Sequence, residues 1–243
     1  MKSDRFLRYP IVSAAAAFAL FFQPLTSLSA VLDFDFSLVP GSNPLPSEVI
    51  AGGVTAHAFY VKSGQYHDTA LWKRDEKGEH GLGICSEPVK SCKSGGGDVN
   101  EISNQKNDEV LRLTLPGGQR WSALWVSSLD SGGSGKNETG TLYWSSLPTP
   151  DLKAPGIGSF RFDYDAIAPA TEADLLPLLP GSFDATAKYL FFRAGGNTKG
   201  KNNDYLVWGG NVSEVPEPSS VVVLIIGGAA LGTLVLSRTR AAL

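Results

Sequence analysis

The sequence predicts an all-β fold, a β-sandwich or jelly-roll-like domain set between two terminal segments that do not belong to it. Three observations lead there. Short stretches of alternating apolar and polar residues recur through the middle of the chain, with the period of a half-buried strand. Turn residues separate them, drawn from 27 glycines and 15 prolines in 243 residues, the pattern of a sandwich or barrel. One segment alone, Ala170–Leu179, suits a helix, and Pro177 interrupts it by removing a backbone donor.

The elements follow in order. Leu32, Phe34 and Phe36 alternate with Asp33 and Asp35, which puts the apolar three on one face. Gly41 to Pro46 is rich in turn formers and reads as a loop. Val54–Lys62 and Ala70–Lys73 read as strands, and Asp75-Glu76-Lys77-Gly78 turns the second into Gly81–Cys85. Val110–Leu115 alternates cleanly, and Pro116-Gly117-Gly118 turns it into Arg120–Leu129. Asp130–Gly140 is polar and glycine-rich, as a loop is. Thr141–Ser145, Gly158–Tyr164, Lys188–Ala194 and Tyr205–Trp208 complete the set.

Both ends carry transport signals. Lys2, Arg5 and Arg8 precede a twelve-residue apolar run, Ile11–Phe22, and Ser27-Leu28-Ser29-Ala30 offers small residues for cleavage. That order predicts a signal peptide over residues 1–29. At the other end, Val221–Leu236 is sixteen residues without a charge. A bilayer core takes about 20 helical residues, with about 17 near the lower limit, and Ser220 and Ser237 extend the run into the interface. Arg238 and Arg240 follow at once, and positive charge stays cytoplasmic. One transmembrane helix is therefore expected over 221–236, with the bulk of the chain outside. Residues 30–214 remain, enough for one domain with its own core. Setting aside five basic and two acidic residues at the ends leaves 16 basic against 22 acidic, a net charge of −6. An acidic domain without a basic stripe is a poor partner for nucleic acid.

Pro216 and Pro218 lack N–H groups and fix φ, so Glu217 between them is presented on an extended segment ahead of the helix. The order Val215-Pro216-Glu217-Pro218, an apolar helix, then Arg238 and Arg240 resembles the PEP-CTERM sorting signal of Gram-negative bacteria, over residues 215–240. The resemblance implies an exosortase as processing partner and a precursor held in the inner membrane by its C-terminal helix. It also implies display at the cell surface or in an extracellular matrix, in an exopolysaccharide or biofilm setting. A shorter similarity covers Gly81-Leu82-Gly83-Ile84, Asp98–Asn104 and Glu109–Leu115, which resemble a pattern in other PEP-CTERM ectodomains. Ser103 stands where that pattern has an acid. It implies a sandwich without an assigned activity.

Candidate sites come from few residue types. Cys85 and Cys92 lie seven positions apart across a turn-like stretch, in the exported part where disulfides persist. A bridge over so short a loop contributes about 2.5 kcal/mol in the chain-entropy model; a pair of reduced thiols is the alternative. Asp98, Asn100, Glu101 and Asn104 cluster in a glycine-led loop, and Asp33 or Asp35 can join them. Calcium takes about six to eight such oxygens; a solvated acidic loop is the other reading. Trp121 and Trp125 fall on one face of a regular strand about 13 Å apart, a spacing suited to stacking on sugar rings, with core packing the alternative. His57, His67 and His80 match no metal spacing, even with Asp68 added. Asp163 and Asp165 could pair as in glycoside hydrolysis, or simply face water. No G-x-S-x-G, H-E-x-x-H or Walker loop occurs. The expected function is a non-enzymatic structural or adhesive role in a polysaccharide matrix. A carbohydrate-binding module is the alternative, and a secreted hydrolase comes third.

Overall fold

The computed structural model describes residues 31–76, 79–86, 101–103, 107–129, 138–163, 172–195 and 204–215. These residues form an all-β, sandwich-like fold of two antiparallel sheets. The strands are β1 (Phe34–Asp35), β2 (Glu48–Ala51), β3 (Val54–Lys62), β4 (Gln65–Asp68), β5 (Ala70–Glu76), β6 (Glu79–Cys85) and β7 (Asp108–Thr114). They continue with β8 (Gln119–Ser127), β9 (Thr139–Ser145), β10 (Gly158–Asp163), β11 (Glu172–Asp174), β12 (Tyr189–Ala194) and β13 (Leu206–Glu214). The first sheet runs β11-β8-β13-β6-β5, with β1 also paired to β13. The second runs β10-β9-β12-β7-β3-β2, with β4 also paired to β3.

The core lies between the sheets because alternate residues of both point there. Leu71, Leu82, Ile84, Trp121, Leu124, Val126 and Val207 come from the first sheet. Val54, Ala56, Ala58, Leu111, Leu113, Leu142, Leu190 and Phe192 come from the second and join the same cluster. Fully burying a Leu, Val or Phe contributes about 1.5–3 kcal/mol. Gly140 shows how close the packing is. It sits opposite Phe162 in the β9–β10 pairing, and a Cβ there would lie 2.2 Å from the Phe162 ring. The ring occupies the space that a side chain at 140 would need.

Two irregularities set which residues face outward. In the β8–β13 ladder Asn211 pairs with Ala123 and Val212 with Trp121, so Ser122 is passed over. Further along, Val207 pairs with Val126 and Gly209 with Trp125, so Trp208 is passed over. Each extra residue reverses the alternation of its strand. Gly81, at φ +119°, lies where β6 meets β13, and a Cβ there would lie 2.3 Å from the Val207 carbonyl oxygen.

The sequence reading of the strands needs several corrections, the first at Asp75 and Glu76, read as the start of a turn, which extend β5 and pair with His80 and Glu79. Alternation does not continue to Phe36, because Asp35 accepts from the Ser37 N–H at 2.8 Å and starts a 3-10 turn over Phe36–Leu38. Phe34 and Phe36 are nevertheless both buried. The polar stretch Gln65–Asp68 is a strand, brought back onto β3 by the Ser63-Gly64 turn. Glu48–Ala51, in a segment not read as a strand, pairs with β3 through a turn at Gly52-Gly53. The helix-compatible segment Ala170–Leu179 contains strand β11 and a single 3-10 turn at Leu176–Leu178, with Pro177 inside it. The signal peptide over 1–29 and the transmembrane helix over 221–236 lie outside the described residues. Among the described residues no helix is long and apolar enough to cross a membrane.

Candidate functional site

The outer face of the second sheet carries a site that assembles from its pairing register. Val61 on β3 pairs with Tyr66 on β4 and with Asp108 on β7, which puts an aromatic ring, an aliphatic group and a carboxylate in one row. One step along, Val110 pairs with Phe59 and with Arg193 on β12. Val110, Leu152 and Phe191 form a second apolar cluster here, with Val61, Tyr66, Tyr143, Ile157 and Tyr189 packed against it. The segment after β9 therefore lies over this face. Two long side chains tie it down. Arg112 donates from Nη1 to the Pro148 carbonyl at 2.9 Å, and Tyr66 donates to the Pro150 carbonyl at 2.8 Å. The Arg112 guanidinium also sits over the rings of Phe59 and Tyr189, at 5.0 and 5.5 Å, a favourable place for a cation.

Between this segment and the β3–β4 hairpin opens a cleft of about 280 Å³. Its apolar surface comes from Val61, Val110 and Leu152, and its polar groups include Asp108, Asp151, Lys153 and Arg193. Arg193 grips Asp108 through two of its three guanidinium nitrogens, Nε and Nη2, the latter at 2.7 Å from Oδ2. Burial works against the Arg193 charge, but Asp108 and then Tyr143, by hydrogen bonding and charge, together outweigh it and raise its affinity for the proton. Burial, then the negative charge of Asp108, pushes the Tyr66 phenol up to about 12. Tyr66 therefore stays a neutral donor to Pro150. Asp151 accepts the Lys153 N–H at 2.9 Å and its carbonyl accepts from Ala154, which shapes the rim as a tight turn. An ion pair, an aromatic wall and a turn of opposite charges thus line one cleft.

The outer face of the first sheet holds a second constellation. Trp125 meets Trp208 edge-on with ring centres 5.8 Å apart, and His80 lies 5.2 Å from Trp208. His80 Nδ1 is 3.0 Å from Asp75 and Nε2 is 3.5 Å from Glu172. On the second sheet, His57 stands between Glu48 and Asp68 at 3.1 Å each and stacks on Phe59. Among the described residues no three His, Cys, Asp or Glu side chains are grouped to hold a metal ion.

The residues singled out from the sequence separate on folding. Trp121 and Trp125 do not share a face. Trp121 is 1 % exposed, donates Nε1–H to the Ala187 carbonyl at 3.0 Å and packs edge-on against Phe34. The passed-over Ser122 is the reason, and Trp121 offers no ring to a sugar. Of the calcium set Asp98, Asn100, Glu101 and Asn104, only Glu101 lies within the described residues. It faces inward, 3 % exposed, and its Oε1 accepts from Arg74 Nη1 at 2.6 Å and Ser128 Oγ at 2.9 Å. A guanidinium thus engages the one described carboxylate of this set, which is buried rather than turned to calcium or to water as the sequence reading expects. Burial, then the charge of Asp204, pushes the Glu101 carboxyl up to about 8. The two strand acids suggested as extra ligands are also engaged, Asp35 by Ser37 and Asp33 by the Val212 N–H at 2.9 Å.

Cys85 ends β6, buried, and no described cysteine is free; Cys92 lies outside the described residues. Ser86 and Ser103, on either side of residues 87–100, both donate to the buried carboxylate of Glu109. Val215 is 40 % exposed, while Pro216, Glu217, Pro218, Arg238 and Arg240 lie outside the described residues, as does Asp165. Sequence reasoning missed Tyr66, Asp108, Asp151, Lys153 and Arg193, which carry no local motif. The one available signal was Ser63-Gly64, a turn that returns Tyr66 to β3. No family model, no curated protein and no solved structure matches this chain.

Proposed function

We propose that this protein is an exported β domain delivered to the cell envelope by a PEP-CTERM-type tail, with a structural or adhesive role in an extracellular polysaccharide matrix. The observation that carries the reading is the three-part tail, Pro216-Glu217-Pro218, apolar 221–236, and Arg238 with Arg240. It follows directly on β13, which ends at Glu214. Val215 still donates its N–H to the Gly118 carbonyl at 2.9 Å, so the proline segment begins where the ladder stops. An exosortase would meet the Pro216-Glu217-Pro218 sequence between the folded domain and the membrane. A signal peptide over 1–29 would start export, and the oxidising space outside would favour a Cys85–Cys92 bridge. The test is deletion of residues 215–243. The folded domain should then pass into the medium instead of fractionating with the envelope. A truncated chain that stays in the membrane fraction would remove the sorting role.

The alternative, a carbohydrate-binding module, draws on a different observation, the aromatic and charged cleft over β3, β4 and β7.

A further inference from the structure

We propose that this cleft is a binding subsite for a neutral sugar residue. The inference deepens the matrix reading, on which it rests only for the source of the sugar.

Size sets the first bound. A cleft of about 280 Å³ lies just below the usual range of about 300–1,000 Å³ for small-ligand pockets, the scale of a subsite for part of a saccharide rather than for a whole chain. Charge sets the second. The lining holds two carboxylates, Asp108 and Asp151, and two cations, Lys153 and Arg193. The formal charge sums to zero, and Arg193 is already neutralised by bidentate contact with Asp108. A phosphate or an acidic sugar approaching Arg193 meets Asp108 beside it, and a cation approaching Asp108 meets Arg193. A polyol gains from both. Each sugar hydroxyl donates and accepts, and the pair offers an acceptor next to a donor. A carboxylate has about four acceptor positions and a guanidinium five donors, more than their mutual contact and the further Arg193–Tyr143 hydrogen bond use. Their side chains are 28 % and 23 % exposed, so that spare capacity is within a ligand's reach.

Preorganisation supports the same ligand class. Tyr66 is fixed by its bond to Pro150 and by edge-on packing against Phe59 at 5.4 Å. Its ring is ordered before any ligand arrives, which lowers the entropic cost of binding. Ring C–H groups of a sugar suit such an aromatic wall, while the hydroxyls face the ion pair. A purely apolar ligand would leave Asp108 and Arg193 desolvated without new partners.

The test uses the full chain in a zwitterionic detergent that carries no sugar. Cellotriose, maltotriose and mannotriose are titrated by calorimetry and saturation-transfer NMR, with trigalacturonate and inorganic phosphate as charged probes. At least one neutral trisaccharide should saturate, and both charged probes should bind at least about tenfold more weakly. Tyr66→Ala should weaken the neutral ligand about tenfold or more, and Trp125→Ala, on the other sheet, should leave it unchanged. Asp151→Asn keeps an oxygen for the Lys153 N–H and leaves one net positive charge. It should shift preference towards trigalacturonate, and it decides the matter if Tyr66→Ala fails to fold. The proposal is overturned by absence of saturable neutral binding up to about 10 mM, or by a wild-type preference for a charged probe. It is equally overturned if Trp125→Ala abolishes binding while Tyr66→Ala, folded, retains it. The sorting role is read separately by fractionation, so either idea can fail alone.

Discussion

Glu101→Gln should make the protein more stable in alkaline solution while changing little in acid. The Glu101 carboxyl is pushed from 4.5 to about 8, first by burial and then by Asp204. A carboxyl whose pKa is raised on folding favours its protonated form in the fold. Its stabilising contribution is complete below pH 4.5 and is lost as pH rises to about 8. At about 1.4 kcal/mol per pH unit, that interval corresponds to about 5 kcal/mol. Water entry and relaxation reduce such penalties, so the expected gain is about 2–3 kcal/mol. Glutamine keeps the oxygen that accepts from Arg74 and Ser128, and Arg74 retains Glu79 as a charged partner, so no cation is stranded. Denaturant unfolding of both chains at pH 5, 7 and 9, followed by tryptophan fluorescence, gives the difference directly. Other titrating groups cancel between the two. Equal stability at pH 9, or a difference that does not grow with pH, would refute the reasoning.

Other outcomes follow from the packing. Trp121→Ala should cost about 3–5 kcal/mol as a buried large-to-small change, whereas Trp125→Ala, half-buried on the outer face, should cost clearly less in the same assay. Gly81→Ala puts a methyl group 2.3 Å from the Val207 carbonyl at φ +119°. It should separate β6 from β13 and appear as faster amide exchange along both strands. Thiol titration of the unreduced, denatured protein should find no free cysteine, and Cys85→Ser should lower stability by about 2.5 kcal/mol.

Much of the strand content was legible because it rests on local patterns. Val54–Lys62 and Gly81–Cys85 alternate or are rich in strand formers, and both lie in strands. Val110–Leu115 overlaps β7, which runs from Asp108 to Thr114. Glu48–Ala51 and Gln65–Asp68 were not legible. Their strand character comes from backbone pairing with β3 rather than from their own composition. The apolar and charged patterns at the two ends are also local, and reading them depends on no fold.

By itself, then, the sequence determined an all-β fold class, an acidic charge over residues 30–214, an apolar run near the N-terminus and a proline-glutamate stretch before a second apolar run near the C-terminus. These follow from periodicity, composition and charge order, all expressed within a few residues. Only the tertiary structure decided which side chains meet. One passed-over residue at Ser122 buried Trp121 and turned Trp125 outward, because strand alternation has a period of two and a single insertion inverts it. Tertiary packing gave Glu101 a guanidinium partner 27 positions away. It also joined Asp108 to Arg193, 85 positions apart, and Tyr66 to Pro150, 84 positions apart. Contacts at such separations depend on sheet register and on a loop folded across the sheet, and neither is written in any short stretch of chain.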